Sequence, residues 1–358
     1  MSKLEARNVV KIYEGSNDAA VKGSNFLVND GEFIAILGPS GCGKSSTLRM
    51  IAGLEEITSG EILFDDKVIN GLTPAQRNIA LAFESYALYS PMNIFENIAF
   101  PLKAAGVPKP EVKRRVNEVA EMFDLTALLK KKPGELSGGQ QQRISLARAL
   151  VRRPNVFLLD EPLSHMDQRN RADIRTRIKY MHERDKITTI YVTHDQEEAV
   201  SLADRVMVMS MGEIQQFGTV TELWNKPSNI FVAGFIGEPA INFAQGKVES
   251  DHCVSVFDTQ WNCDISLASY PKSHEVTVGF RPNKTRITNQ KTVGSVEAKV
   301  SVVEFAGTAR QLTLTIAGED YRAMVAPDLV VKPGDTVYLH VDPQNVLLFD
   351  TKTTNAIY

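Results

Sequence analysis

Phe33-Ile34-Ala35-Ile36-Leu37-Gly38-Pro39-Ser40-Gly41-Cys42-Gly43-Lys44-Ser45-Ser46-Thr47-Leu48 runs from an aliphatic stretch through a glycine-rich turn into a segment of helical composition. The apolar run 32–37, bounded by turn residues, predicts a buried strand, and residues 45–53 predict a helix. Between them, Gly38–Ser45 fits G-x-x-x-x-G-K-[ST] without a gap. Glycines let backbone N–H groups curl around phosphate oxygens, and the N-terminus of the following helix adds a favourable dipole. The pattern expects Lys44 to reach β- and γ-phosphates and the Ser45 hydroxyl to bind Mg²⁺. Cys42, inside the loop, reads as a small packing residue rather than a nucleophile.

Outward from this loop, residues 156–160, 188–193 and 205–210 read as further buried strands. Their apolar character is continuous, which suggests strands covered on both faces. Helical stretches at 111–123, 138–152, 168–184 and 195–203 alternate with them, so the expected fold class is α/β. Between about 86 and 135 apolar and aromatic residues (Tyr86, Leu88, Tyr89, Met92, Phe95, Phe100) precede a charged helix, which suggests an inserted helical subdomain. After about 237 the reading changes to short β-branched strands near 276–280, 296–302, 311–316 and 336–341, separated by turns. That spacing suggests a small C-terminal β-barrel.

Length and composition agree with this division. At roughly 100–200 residues per domain, 358 residues suggest two or three domains. Hydrophobic residues make up 43% and charged residues 23%, a soluble core-forming composition. The net charge of −3 argues against a general nucleic-acid footprint. No uninterrupted apolar run of about 18 residues predicts a membrane-spanning helix. Residues 1–7 lack the apolar core of a secretory signal. Cys42, Cys253 and Cys263 are too scattered for a disulfide framework, and His252 with Cys253 and Cys263 lacks the paired spacing of a zinc site. Arg169, Arg171, Arg175, Arg177 and Arg184 on one predicted helix read as a solvated basic face balanced by acids elsewhere.

Two further motifs carry chemistry. Val156-Phe157-Leu158-Leu159-Asp160-Glu161 places two acids at the carboxyl end of a buried strand, where ligand crevices form in such sheets. One acid can hold Mg²⁺ and its neighbour can polarise an attacking water. Leu136-Ser137-Gly138-Gly139-Gln140 precedes a helix. By itself it reads either as an anion-binding helix start or as a serine N-cap.

The order of these motifs, followed by Ser164-His165-Met166-Asp167 and then His194, resembles the ATP-binding cassette (ABC) family over essentially all of residues 1–236. The resemblance implies a P-loop ATPase with a helical subdomain at about 86–153, followed by an OB-like regulatory or dimerisation domain at 237–358. It implies a nucleotide site built from Tyr13, which would stack on adenine, from Gly38–Ser46, and from Leu136–Gln140 and Asp167. Glu161 would be the catalytic base and His194 the switch histidine at the γ-phosphate. Mg²⁺ would be held by Ser45, Asp160 and Glu84. Glu84 stands where the family usually has Gln, and Ser46 where Thr is frequent; His165 and Met166 replace the frequent Asn and Leu. Since the signature peptide of one subunit completes the site of the other, the resemblance implies a homodimer or a dimer with a similar ATPase.

The segment 86–101 looks like that of sugar-importer ATPases, in which it receives two transmembrane permease subunits. Residues 237–243, 278–282 and 334–343 resemble the C-terminal domain of maltose-type and glycerol-phosphate-type importers. The expectation is a peripheral ATPase subunit on the cytoplasmic face of a membrane, powering uptake of a sugar, polyol or glycerol-phosphate. An extracytoplasmic solute-binding protein would act through the permease, and no nucleic acid is expected. The alternatives are an importer ATPase for a polyamine or inorganic ion, or a soluble ABC protein acting on nucleic acid or ribosomes.

Overall fold

The computed structural model describes residues 3–83, 85–164 and 166–358. Two compact units divide the chain, Met1–Val220 and Thr221–Tyr358.

The N-terminal unit runs β1 (Leu4–Ile12), β2 (Ala19–Val28), β3 (Phe33–Leu37), α1 (Lys44–Ala52), β4 (Ser59–Phe64), β5 (Lys67–Val68) and β6 (Ile79–Ala82). Then come α2 (Ile94–Ala104), α3 (Lys109–Met122), α4 (Gly138–Leu150), β7 (Val156–Asp160), α5 (Gln168–Asp185), β8 (Thr188–Thr193), α6 (Gln196–Leu202), β9 (Arg205–Ser210) and β10 (Glu213–Gly218). The larger sheet has the order β10-β9-β3-β8-β7-β6. All its pairings are parallel except that of β10 with β9.

Every residue of β3, β7 and β8 is buried. The period of two along a strand explains how one strand serves two cores. Phe157 and Leu159 enter the core shared with α2–α5, whereas Val156 and Leu158 enter the core shared with α1 and the antiparallel sheet. The parallel register brings three strand ends side by side: Leu37 pairs with Thr193, and Asp160 with Val192.

A second sheet, β2-β1-β4-β5, is antiparallel and was not foreseen from the sequence. The reason is local: β1 is bulged near Asn8, which has φ 49°, so its inward and outward residues lose their alternation. The helix α2 was also missed. It is apolar on several sides and carries Pro101 within its span, with Asn93 capping its start by accepting from the Glu96 N–H.

The C-terminal unit contains eleven strands, β11 (Asn242–Ser250) to β21 (Ala356–Ile357). The strands expected of a small barrel form two antiparallel sheets of six and five strands. Val278, Phe280, Val300, Leu312, Leu314 and Leu339, drawn from both sheets, share one core. The unit begins before residue 237, the boundary drawn from the sequence. Arg281 is the physical reason: its guanidinium donates to the carbonyls of Ile236 and Trp224 at 2.7 and 2.8 Å and stacks on the Trp224 ring. These bonds hold the segment Thr221–Ile236 to the strands that follow it.

Candidate nucleotide site

The phosphate loop leaves β3 at Gly38 and enters α1 at Lys44. Two glycines are required by space. A Cβ on Gly38 would lie 2.2 Å from the Met209 carbonyl oxygen, and one on Gly43 2.4 Å from that of Ala20. Gly43 also sits at φ 104° as the N-cap of α1, with no side chain capping the helix. The first amides of α1 are therefore presented without a side-chain acceptor of their own. Lys44 is buried beneath the loop, donating to the carbonyls of Gly38 and Pro39 at 2.8 and 2.9 Å. Cys42 is buried too, and burial pushes its thiol up, in keeping with a packing role.

The acids at the end of β7 meet this loop from the side. Ser45 Oγ donates to Asp160 Oδ1 at 3.0 Å, across 115 residues of sequence. That pair supplies two hard oxygen donors at one point, the chemistry that suits Mg²⁺. Glu161, the next residue, has φ 45°, an uncommon conformation for a residue with a Cβ. Its N–H donates to the Val192 carbonyl at 2.9 Å, which ties the turn to β8. Its Oε2 lies 3.0 Å from His194 Nδ1. A carboxylate at Nδ1 favours the tautomer protonated there and orients the ring.

The turn presenting His194 is braced by residues that the sequence analysis did not single out. Glu198 is buried and accepts from the Tyr191 and Thr193 hydroxyls at 2.8 and 2.7 Å. Burial pushes its carboxyl up, and pushes the Tyr191 phenol well above its ordinary range. Thr193 Oγ1 in turn accepts the Asp195 N–H at 3.0 Å. The only sequence signal for this brace is an acid four residues after the histidine, on a short helix next to an apolar strand.

The remaining site residues fall elsewhere. Tyr13 is half-buried, its hydroxyl 2.9 Å from Ser46 Oγ and its ring 4.7 Å from Lys11 Nζ. Ser137 caps α4, accepting the Gln140 N–H at 3.4 Å, while Gln140 Oε1 accepts the Ser137 N–H at 3.1 Å. Leu136 is buried, Gly138 abuts the Tyr86 hydroxyl, and Gly139 faces Met166. Among the described residues, no hydrogen bond joins this peptide to the phosphate loop of the same chain. Asp167 caps α5, and the Asn170 amide N–H holds its carboxyl below the usual carboxylate range. Glu84 and His165 lie outside the described residues.

The basic face read on α5 is paired with named acids: Arg175 with Glu197, Arg177 with Asp173 and Asp124, and Arg184 with Asp185. A groove of about 540 Å³ beside α2 is lined by Leu81, Tyr89, Phe100, Pro101, Arg148 and Arg152. Arg148, from α4, donates to the carbonyls of Ala87 and Tyr86 at 2.7 and 3.1 Å. Among the described residues no cluster of three metal-ligating side chains occurs and no helix is long and apolar enough to cross a membrane.

Comparison with known proteins agrees with this geometry. The ABC transporter family matches residues 21–164 and the TOBE domain residues 278–349. The sn-glycerol-3-phosphate import ATP-binding protein UgpC 2 of Agrobacterium fabrum is 43% identical over 358 residues, covering 100% of this chain and 95% of that protein. The oligosaccharides import ATP-binding protein MsmX of Bacillus subtilis is 40% identical over 362 residues, covering 99% of each. The dimeric post-hydrolysis structure of the ATP-binding cassette MJ0796, bound to ADP and Pi, superposes with a TM-score of 0.56 at 32% identity, covering 60% of this chain and 98% of that one. Full-length similarity of this degree, joined to a phosphate loop, an acidic strand end and a histidine turn at one sheet edge, makes the chain a member of the ABC transporter family, among its import ATP-binding subunits.

Proposed function

We propose that this chain hydrolyses ATP to power import of a carbohydrate or related solute (a sugar, a polyol or a glycerol-phosphate). The observation that carries the hydrolytic reading is the meeting of Ser45 with Asp160, and of Glu161 with His194, at neighbouring strand ends. The carbohydrate class rests on the likeness to import proteins for glycerol-3-phosphate and oligosaccharides.

In this reading the amides of Gly41–Ser45 and the Lys44 ammonium hold the β- and γ-phosphates. Tyr13 stacks on the adenine. Ser45 and Asp160, with Glu84 as the expected third ligand, would hold Mg²⁺, which would supply positive charge to offset that of the phosphates. Glu161 accepts a proton from the attacking water. The same carboxylate keeps the His194 ring oriented, so that Nε2 faces the γ-phosphate. Leu136–Gln140 and Asp167 serve the site of a second copy or a similar ATPase, since among the described residues no hydrogen bond joins that peptide to the phosphate loop of its own chain. The groove at Tyr89 and Phe100 receives permease subunits, which places the dimer at the cytoplasmic face of the membrane. A solute-binding protein acts from the far side.

The test is ATP hydrolysis by the full chain. Glu161→Gln removes the base and lowers kcat by about 10²-fold or more while ATP still binds. Wild-type turnover in that variant rules the assignment out. Affinity capture from membranes recovers two multi-spanning proteins if the transport reading holds; stable recovery of ribosomes or nucleic acid instead overturns it.

A further inference from the structure

Behind the site, Arg171 joins two loops that reach it from different strands. Its Nε donates to the Met166 carbonyl at 2.8 Å, and one Nη to the Ser164 carbonyl at 3.0 Å. Both carbonyls belong to the loop that runs from Glu161 to Asp167. The other Nη reaches Asp195 Oδ2 at 3.5 Å. Asp195 immediately follows His194. Its Oδ1 caps α6, accepting the N–H groups of Glu197 and Glu198 at 2.8 and 3.3 Å, and its own N–H donates to Thr193. The guanidinium therefore touches the loop carrying Asp167 and the turn carrying His194 at once.

The anchor of this side chain is short. Arg171 lies in the first turn of α5, where its N–H donates to the carbonyl of Asp167 at 2.9 Å. Its side chain is 30% exposed and that of Asp195 27%, so the contact is only partly screened. All three guanidinium nitrogens are engaged in directions that a planar fork can satisfy. A lysine has one nitrogen and reaches one of these acceptors at a time. One turn further along, Arg175, whose side chain is 17% exposed, pairs at 2.7 Å with Glu197, whose side chain is 66% exposed. That pair joins α5 to α6, and its acceptor lies beyond the His194 turn.

We propose that Arg171 is a positioning residue for ATP hydrolysis, holding the Ser164–Asp167 loop and the His194 turn in one register. A shift of the loop is then passed to the histidine, and through it to Glu161. The inference rests on the roles proposed above for Glu161 and His194. It also changes the reading of the arginine row, since one member of the basic face is tied into the site.

The experiment compares kcat, equilibrium ATP binding and thermal unfolding for the full chain and for Arg171→Gln, Arg171→Lys and Arg175→Gln. Glu161→Gln and His194→Ala serve as controls. Arg171→Gln should lower kcat by about tenfold or more, because small misplacement of a catalytic group is costly, while ATP affinity stays near wild type. Arg171→Lys should recover only part of the loss, and Arg175→Gln should stay within about twofold. The inference is overturned if Arg171→Gln keeps kcat within about twofold of wild type, or if both Gln variants lose activity in step with their melting temperatures. Should Arg171→Gln not fold, the same criteria apply to Arg171→Lys. Wild-type turnover in Glu161→Gln and His194→Ala would refute the proposed site itself, and Arg171 with it.

Discussion

The helices α1 and α4 both begin on glycine-rich peptides, yet they treat their first amides in opposite ways. At α1 the N-cap is Gly43, which has no side chain to offer, so the leading N–H groups remain available to a phosphate. At α4 the N-cap is Ser137, and a reciprocal pair of bonds with Gln140 satisfies both residues' N–H groups within the helix. The glycines differ in kind as well. Gly43 is forced by φ and by the Ala20 carbonyl behind it, whereas Gly138 clears space for the Tyr86 hydroxyl. One terminus has no side-chain cap on any of its leading amides; the other has its Gln140 N–H capped by Ser137 and is placed against the segment that leads to the groove. A glycine-rich motif thus acquires its meaning from what already occupies its amides.

Three substitutions press on this contrast. The largest effect is expected from Gly43→Ala. The added Cβ meets the Ala20 carbonyl and the residue must hold φ 104°, so stability falls by about 1–3 kcal/mol and ATP binding weakens by about tenfold or more. Isothermal titration with ATP reads it, and unchanged affinity would mean that α1 tolerates a capped, crowded start.

Gln140→Glu comes next, and it separates the two meanings of α4. A carboxylate at this position still accepts the Ser137 N–H and complements the helix dipole, so the melting temperature should hold or rise. If this terminus also meets a phosphate, the added charge should lower ATPase activity by about tenfold. A rise in stability with full activity would reduce α4 to a cap.

The smallest effect belongs to Ser137→Ala, which removes the cap acceptor and should cost about 1 kcal/mol in denaturant unfolding, with Ser137→Thr largely restoring it. A neutral Ala variant would show that tertiary packing alone holds the start of α4.

Much of the larger sheet was readable in advance because its strands are short, aliphatic and buried on both faces, a pattern that survives any tertiary context. The helical stretches expected at 111–123, 138–152 and 168–184 form helices at Lys109–Met122, Gly138–Leu150 and Gln168–Asp185. Where the pattern broke, the reading failed for identifiable reasons. The bulge at Asn8 hid β1, and the interior Pro101 hid α2. That the second compact unit reaches back to Thr221 is not legible locally, because the side chain that ties the segment to it, Arg281, lies far along the chain. Arg171 reads from the sequence only as part of a solvated basic face, and Glu198 does not stand out, because an arginine in a charged helix and a glutamate beside an apolar strand have no local signature. Their roles come from acceptors on other elements.

The sequence alone determined the chemical inventory: a loop that only glycine can form, a lysine and a serine at its helix, paired acids at a strand end and a histidine after another. These are short-range matters, in which residue type and spacing dictate backbone shape and donor chemistry. Tertiary structure decided which of them meet. Ser45 touches Asp160 across 115 residues, and Glu161 touches His194 across 33, only because the parallel order places β8 between β3 and β7 with their carboxyl ends in register. Hydrophobic period tells a strand which faces to bury, but its lateral neighbours are chosen by crossover connections and by the packing of the helices between them.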